Sequence, residues 1–121
     1  MITQIATVAV YVEDQEKALD FWTRAMGFVN RSRREMEDGH AWVEVAPAGA
    51  ASSLVLYPRP MMKDWRERKP SIVFSCTDLF RFCAEIRGRG VEFVQEPKLT
   101  PWGAYAVFRD TEGNEFVLHE D

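Results

Sequence analysis

Cysteine and histidine are scarce, with two of each in 121 residues, and that scarcity removes several kinds of chemistry at the outset. Cys76 and Cys83 show neither metal-ligand nor redox-pair spacing, so reduced thiols in a cytoplasmic protein are expected. Positive charge is also short. A net charge of -4 and a pI near 5.2 exclude a nucleic-acid partner, because phosphate-backbone binding draws on clustered Lys and Arg that release counterions. The basic clusters Arg31, Arg33, Arg34 and Arg66, Arg68, Lys69 sit among acids or beside a proline and read as solvated turns. No apolar run is long enough to span a bilayer, and the start Met-Ile-Thr-Gln-Ile has no basic region followed by an apolar stretch. Neither a membrane partner nor a secretory signal is expected.

What the chain does have is hydrophobic content, 46% of its residues, and an internal repeat. Residues 7–14 read Thr-Val-Ala-Val-Tyr-Val-Glu-Asp and residues 71–78 read Ser-Ile-Val-Phe-Ser-Cys-Thr-Asp. Each is an apolar run closed by an Asp and followed by a helix-like stretch. The match resumes later, with Gly27-Phe28-Val29 answered by Gly90-Val91-Glu92-Phe93 and Leu54-Val55-Leu56-Tyr57 by Phe116-Val117-Leu118-His119. The length suits one domain of two halves. Module one is expected over 1–60, a connector rich in Pro and charge over 61–69, and module two over 70–121.

Periodicity fills in the elements. Ile5 to Val12 predicts a strand, and Asp14 a cap for a helix from Gln15 to Met26 with Ala18, Leu19, Trp22 and Met26 inward. Strands are expected at 28–34, 40–45 and 52–57, with Glu37-Asp38-Gly39 as a hairpin turn. The second half predicts a strand over 71–76, Asp78 as helix cap, a helix over 79–87, a strand over 91–94, a loop over 95–103, a strand over 104–108, a tight turn at Asp110–Asn114 and a last strand over 115–119. Each half is β-α-β-β-β, an α+β arrangement in which neither half buries both faces of its sheet alone.

This duplicated order resembles the vicinal oxygen chelate superfamily, which includes glyoxalase I, the bleomycin-resistance proteins and the extradiol dioxygenases. The resemblance is carried by Tyr11-Val12-Glu13-Asp14 leading into Ala18-Leu19-Asp20-Phe21-Trp22, by Arg89-Gly90-Val91-Glu92-Phe93, and by Phe108-Arg109-Asp110-Thr111-Glu112-Gly113-Asn114. It implies a curved mixed sheet around a cleft. It also implies, for the family's enzymes, a divalent metal held by His or Glu from the first and fourth strands of each half. Those positions here are Thr7, Val55, Ser71 and Val117, and neither hydroxyls nor methyls can replace imidazole or carboxylate donors. No metal and no cofactor are expected. The candidates for displaced ligands are His40, Glu44, Glu115 and His119.

Alternation then places Thr7, Ala9, Tyr11, Ser53, Val55, Tyr57, Ser71, Val73, Ser75, Glu115, Val117 and His119 on one face, an apolar floor with hydroxyls around it. Such a surface suits a pocket for a small aromatic or apolar molecule. The expected ligand-binding residues are Thr7, Tyr11, Ser53, Tyr57, Ser71, Ser75, Trp102, Tyr105 and His119, with Trp102 a wall or lid and no catalytic residue assigned. Trp22 is expected in the core. The function this supports is metal-free sequestration of a small-molecule ligand by a homodimer. The alternative is a glyoxalase- or dioxygenase-like lyase or oxidoreductase with displaced metal ligands.

Overall fold

The computed structural model describes all residues, Met1–Asp121, in two compact units, Met1–Lys69 and Pro70–Asp121. In the first, β1 (Thr7–Val12), α1 (Gln15–Asp20), β2 (Val29–Glu35), β3 (Ala41–Ala46) and β4 (Ser53–Pro58) follow in order. They form a sheet of order β1-β4-β3-β2, parallel between β1 and β4 and antiparallel elsewhere. In the second, β5 (Val73–Ser75), α2 (Leu79–Gly88), β6 (Glu92–Thr100), β7 (Gly103–Arg109) and β8 (Glu115–Glu120) repeat the pattern as β5-β8-β7-β6. The two mixed four-stranded sheets with one helix apiece are the α+β architecture that the repeat predicts.

The first unit's core lies between its helix and one sheet face. Val10, Val12, Val43, Val45, Leu54 and Leu56 are buried against Ala18, Phe21, Trp22, Ala25 and Met26. Each fully buried side chain of the larger kind contributes about 1.5–3 kcal/mol. Asp14 caps α1 by accepting from the Lys17 N–H at 3.0 Å, and Gln15 fastens the helix start to the sheet. Its Nε2 donates to the Ala41 and Leu56 carbonyls at 2.6 and 2.8 Å, and its Oε1 accepts from Ala41 N–H at 3.2 Å. The expected single helix to Met26 widens after Asp20 into a π turn over Phe21–Ala25, with Met26 N–H donating to Phe21 O at 3.1 Å. Trp22, in that turn, is fully buried, with the Phe21 and Phe28 rings 5.3 and 5.1 Å away.

The second unit packs Leu79, Cys83 and Ile86 of α2 over Ala104, Ala106, Phe108, Phe116 and Leu118. Phe74, Phe108 and Phe116 stack at centroid separations of 5.6 to 6.5 Å. Two expectations fail here. Asp78 occupies the N-cap position of α2 but its side chain does not cap the helix: it adopts a left-handed conformation, φ 51°, with no side-chain cap bond. The capping carboxylate is Glu120, which accepts from Asp78 N–H at 2.7 Å and Leu79 N–H at 2.9 Å. Those bonds, Leu79's first, hold the Glu120 carboxyl below its ordinary pKa. The segment over 95–103 is not a loop, because β6 continues to Thr100 and leaves only Pro101-Trp102 before β7. At Gly103, φ is 113° and an added Cβ would stand 2.3 Å from the Glu120 carbonyl oxygen, so glycine is required there.

The turn before β8 forms as expected. Asp110 accepts from Glu112 N–H, Asn114 N–H and Asn114 Nδ2 at 2.9, 2.8 and 3.1 Å, and Gly113 supplies φ 83°. Burial still raises the Asp110 pKa, against those hydrogen bonds.

Candidate functional site

The sheet faces turned away from the helices carry the candidate residues, and register groups them into rows. In the first unit Tyr11 pairs with Tyr57, and Trp42 with Arg34. The Trp42 and Tyr57 rings meet across β3 and β4 at 6.1 Å and 89°. Tyr11 and Tyr57 meet at 5.8 Å and 81°. Tyr11, Tyr57, Trp42 and Arg34 therefore form one row across all four strands, with edge-to-face aromatic contacts and the Arg34 guanidinium 5.6 Å from the Trp42 centroid. All three aromatic residues are half-buried.

The neighbouring row is Ala9, Val55, Glu44 and Ser32. Glu44 accepts the Trp42 indole N–H at 2.7 Å, a charge-assisted bond that fixes both side chains. Thr7 and Ser53 pair in the row beyond. The first unit thus presents an aromatic strip bordered by one carboxylate, one guanidinium and the hydroxyls of Thr7 and Ser32, while Ser53 is buried. Shape recognition of a flat apolar molecule, with few polar groups to orient it, is what such a strip offers chemically.

The second unit has the equivalent row, Ser75, His119, Tyr105 and Lys98. Three of the residues expected from the sequence meet there. Ser71 does not join them; it precedes β5 and is exposed. Trp102 sits at the β6–β7 turn with 82% of its surface exposed. Its carbonyl oxygen lies 3.1 Å from His119 Nε2, which as the donor there is the protonated ring nitrogen. Of the strip itself, the residues not expected are Trp42, Arg34 and Glu44. The signal for Trp42 and Glu44 was the alternation of β3, where they stand between Ala41, Val43 and Val45; Arg34 lies on β2 and joins through its pairing with Trp42.

The residues at the family's metal positions do not fit a metal ion. Thr7 and Ser71 offer neutral hydroxyls, Val55 and Val117 methyl groups, and none competes with water for a divalent cation. No group of three or more His, Cys, Asp or Glu side chains is arranged to hold one elsewhere. Three of the four displaced candidates have other engagements: Glu44 on the Trp42 indole, Glu115 beside Arg109 at 3.7 Å, His119 on a backbone carbonyl. Nor is either thiol poised as a nucleophile. Burial pushes Cys83 up to about 11, and burial first, then the Glu120 and Asp78 charges, raises Cys76.

Comparison with known proteins agrees with this architecture. The sequence model of the Glyoxalase/Bleomycin resistance protein/Dioxygenase superfamily matches residues 4–118. YetH of Bacillus subtilis (strain 168) is 48% identical over 120 residues, covering 99% of this chain and all of its own length. A glyoxalase/bleomycin resistance protein from Streptomyces sp. CB03234 is 37% identical, with a TM-score of 0.79 over 96% of this chain and 99% of that one. TnmS3, an antibiotic binding protein from the same Streptomyces strain, is 34% identical, with a TM-score of 0.84 over 98% of this chain and 96% of its own. No helix here is long and apolar enough to cross a membrane.

Proposed function

The chain belongs to the glyoxalase/bleomycin resistance protein/dioxygenase superfamily, and from that premise we propose that it is a metal-free binding protein that sequesters a small aromatic or apolar compound. The observation that carries this reading is the Tyr11, Tyr57, Trp42 strip. Aromatic faces bind flat apolar ligands at low entropic cost, because each ring has few rotatable bonds to immobilise. Arg34, Glu44, Thr7 and Ser32 supply the polar margin that orients the ligand. The antibiotic-binding relative TnmS3 supports the same class of function. The donor chemistry at Thr7, Val55, Ser71 and Val117 argues against the metal-dependent enzymes of the family. The second unit's row, with Ser75, Tyr105 and His119, is proposed as the more polar counterpart.

The test is calorimetric titration of the protein with planar two- and three-ring compounds, naphthol, acridine and acridone. Saturable binding of at least one, weakened in Trp42→Ala and Tyr57→Ala, is expected. Absence of saturable binding across the panel, or binding indifferent to both substitutions, refutes the reading.

A further inference from the structure

The chain between β4 and the second unit carries a second feature with ligand-binding chemistry. Residues 59–69 hold Arg59, Lys63, Arg66, Arg68 and Lys69 against Asp64 and Glu67, five cations to two carboxylates in a protein of net charge -4. They fold as two single 3-10 turns, Arg59–Met61 and Trp65–Glu67, with the second closed by Glu67 N–H and Arg68 N–H donating to the Asp64 and Trp65 carbonyls at 3.1 and 3.0 Å. Trp65 is the centre of the cluster. The Arg59 guanidinium lies 4.0 Å from its ring centroid and that of Arg66 5.2 Å.

A recess of about 660 Å³ opens here, lined by Lys63, Asp64, Trp65, Arg66 and Glu67. That volume falls within the range of ordinary small-molecule sites. The charges around it are unequally committed. Asp64 is paired to Arg68 at 2.8 Å, which also holds its carboxyl below the usual range, so it does not neutralise the recess. Lys63 and Arg66 have no carboxylate within ion-pair distance. Two uncommitted cations and one unpaired carboxylate, Glu67, thus line the recess with the Trp65 indole.

We propose that this recess is a binding site for a small organic oxyanion, a carboxylate or phosphate monoester on an aromatic body. The Arg66 fork takes the oxyanion in the bidentate geometry that guanidinium favours, Lys63 adds a mobile ammonium, and Trp65 contacts the apolar body. The Arg66 guanidinium, though exposed, is held against the Trp65 ring before the ligand arrives, which lowers the cost of ordering it. The lining of the recess shares no residue with the Tyr11, Tyr57, Trp42 strip.

The experiment follows the four indole N–H signals of 15N-labelled protein, with Trp65 assigned through Trp65→Phe, while benzoate, phenyl phosphate and inorganic phosphate are added at constant ionic strength. The expected result is a saturable shift of the Trp65 signal with benzoate or phenyl phosphate, at millimolar concentrations or below. Inorganic phosphate should bind more weakly. Arg66→Ala should weaken binding about tenfold, Lys63→Ala less, and Arg66→Lys should fall between wild type and Arg66→Ala. Four results overturn the proposal: a shift confined to the Trp42 signal, a drift that never saturates, a response unchanged in Arg66→Ala, or inorganic phosphate binding as tightly as phenyl phosphate.

Discussion

Truncating Trp42 to Ala separates ligand binding from folding, because its contacts in the free protein are few and individually measurable. The side chain is half-buried, so part of its surface is already in water. What it loses within the fold is one edge-to-face contact with Tyr57, about 0.5–1.5 kcal/mol, the indole hydrogen bond to Glu44 at 2.7 Å, about 1.5–3 kcal/mol with a charged acceptor, and a long contact of the exposed Arg34 guanidinium, 5.6 Å from the ring centroid, which adds little in water. Water can reach the half-exposed Glu44 afterwards, which recovers part of the second contribution. The expected loss of stability is therefore about 2 kcal/mol, or roughly 6–10 °C in melting temperature for a chain of this size. An aromatic anchor in a ligand site should cost about 2 kcal/mol in affinity as well, roughly thirtyfold in Kd. Trp42→Phe keeps a ring while removing the N–H donor, so it should retain most of the affinity and lose the hydrogen-bond part of the stability. Trp22→Ala serves as the contrast: a fully buried indole whose removal costs about 3–5 kcal/mol of stability. Calorimetric titration with the acridine series and thermal melting read the two quantities independently. If Trp42→Ala binds every probe as wild type does and only melts earlier, the strip is packing and its assignment as a ligand face is wrong.

The other expectations are more compact. Trp102→Ala should leave the melting temperature almost unchanged, since the side chain is 82% exposed; a stability loss comparable to that of Trp22→Ala would place the residue in a packed role. Glu120 has a lowered pKa in the folded state, so its stabilising contribution is present above the unfolded carboxylate pKa near 4.5 and disappears as pH falls through the lower folded value. Glu120→Gln should therefore flatten the acid limb of stability against pH, and identical slopes for variant and wild type would remove the cap from the account. Elemental analysis of protein purified without an affinity tag should find no stoichiometric transition metal; one tightly bound equivalent of Ni, Zn, Mn or Fe would contradict the donor argument. A homodimer is expected in sedimentation at tens of micromolar, because four-stranded open sheets leave edge strands that seek partners, and a pure monomer at that concentration counts against it.

The fold was legible in the sequence wherever local chemistry decided it. Gly113 and Asp110 specify their turn through positive φ and short-range hydrogen bonds, and the inward stripe through Trp22 marks a helix whatever its pitch. The strand β6 was hidden because Pro97 and Pro101 are turn residues by composition. Yet β6 is an edge strand with bulges between Phe93 and Gln95 and between Gln95 and Lys98, where a missing N–H disturbs no inner ladder. Asp78 was misread for a different reason. A cap is a local inference, and the competing carboxylate of Glu120 lies 42 residues away in sequence from the N–H it satisfies. The aromatic strip falls between these cases: Tyr11 and Tyr57 were visible by alternation, whereas Trp42 and Arg34 join them only once the β3 registers with β4 and β2 are known.

The repeat also shows which part of the fold is free to change. Equivalent positions on the helix-facing sides remain apolar, Val10 and Phe74, Leu56 and Leu118, Val43 and Ala106, all buried or half-buried. Close packing leaves such positions little choice beyond size. Across the open faces the equivalents part company: Tyr11 against Ser75, Tyr57 against His119, Trp42 against Tyr105, while Arg34 and Lys98 both close the row with a cation. No packing rule requires Tyr, Tyr and Trp in one row and Ser, His and Tyr in the other, since the same backbone carries both. The divergence is therefore better assigned to what each face contacts from outside its own unit's core. Tyr57→Ala should therefore weaken every aromatic probe that the first unit's strip binds, with or without a polar substituent, and a probe whose affinity survives that substitution is not held by the strip.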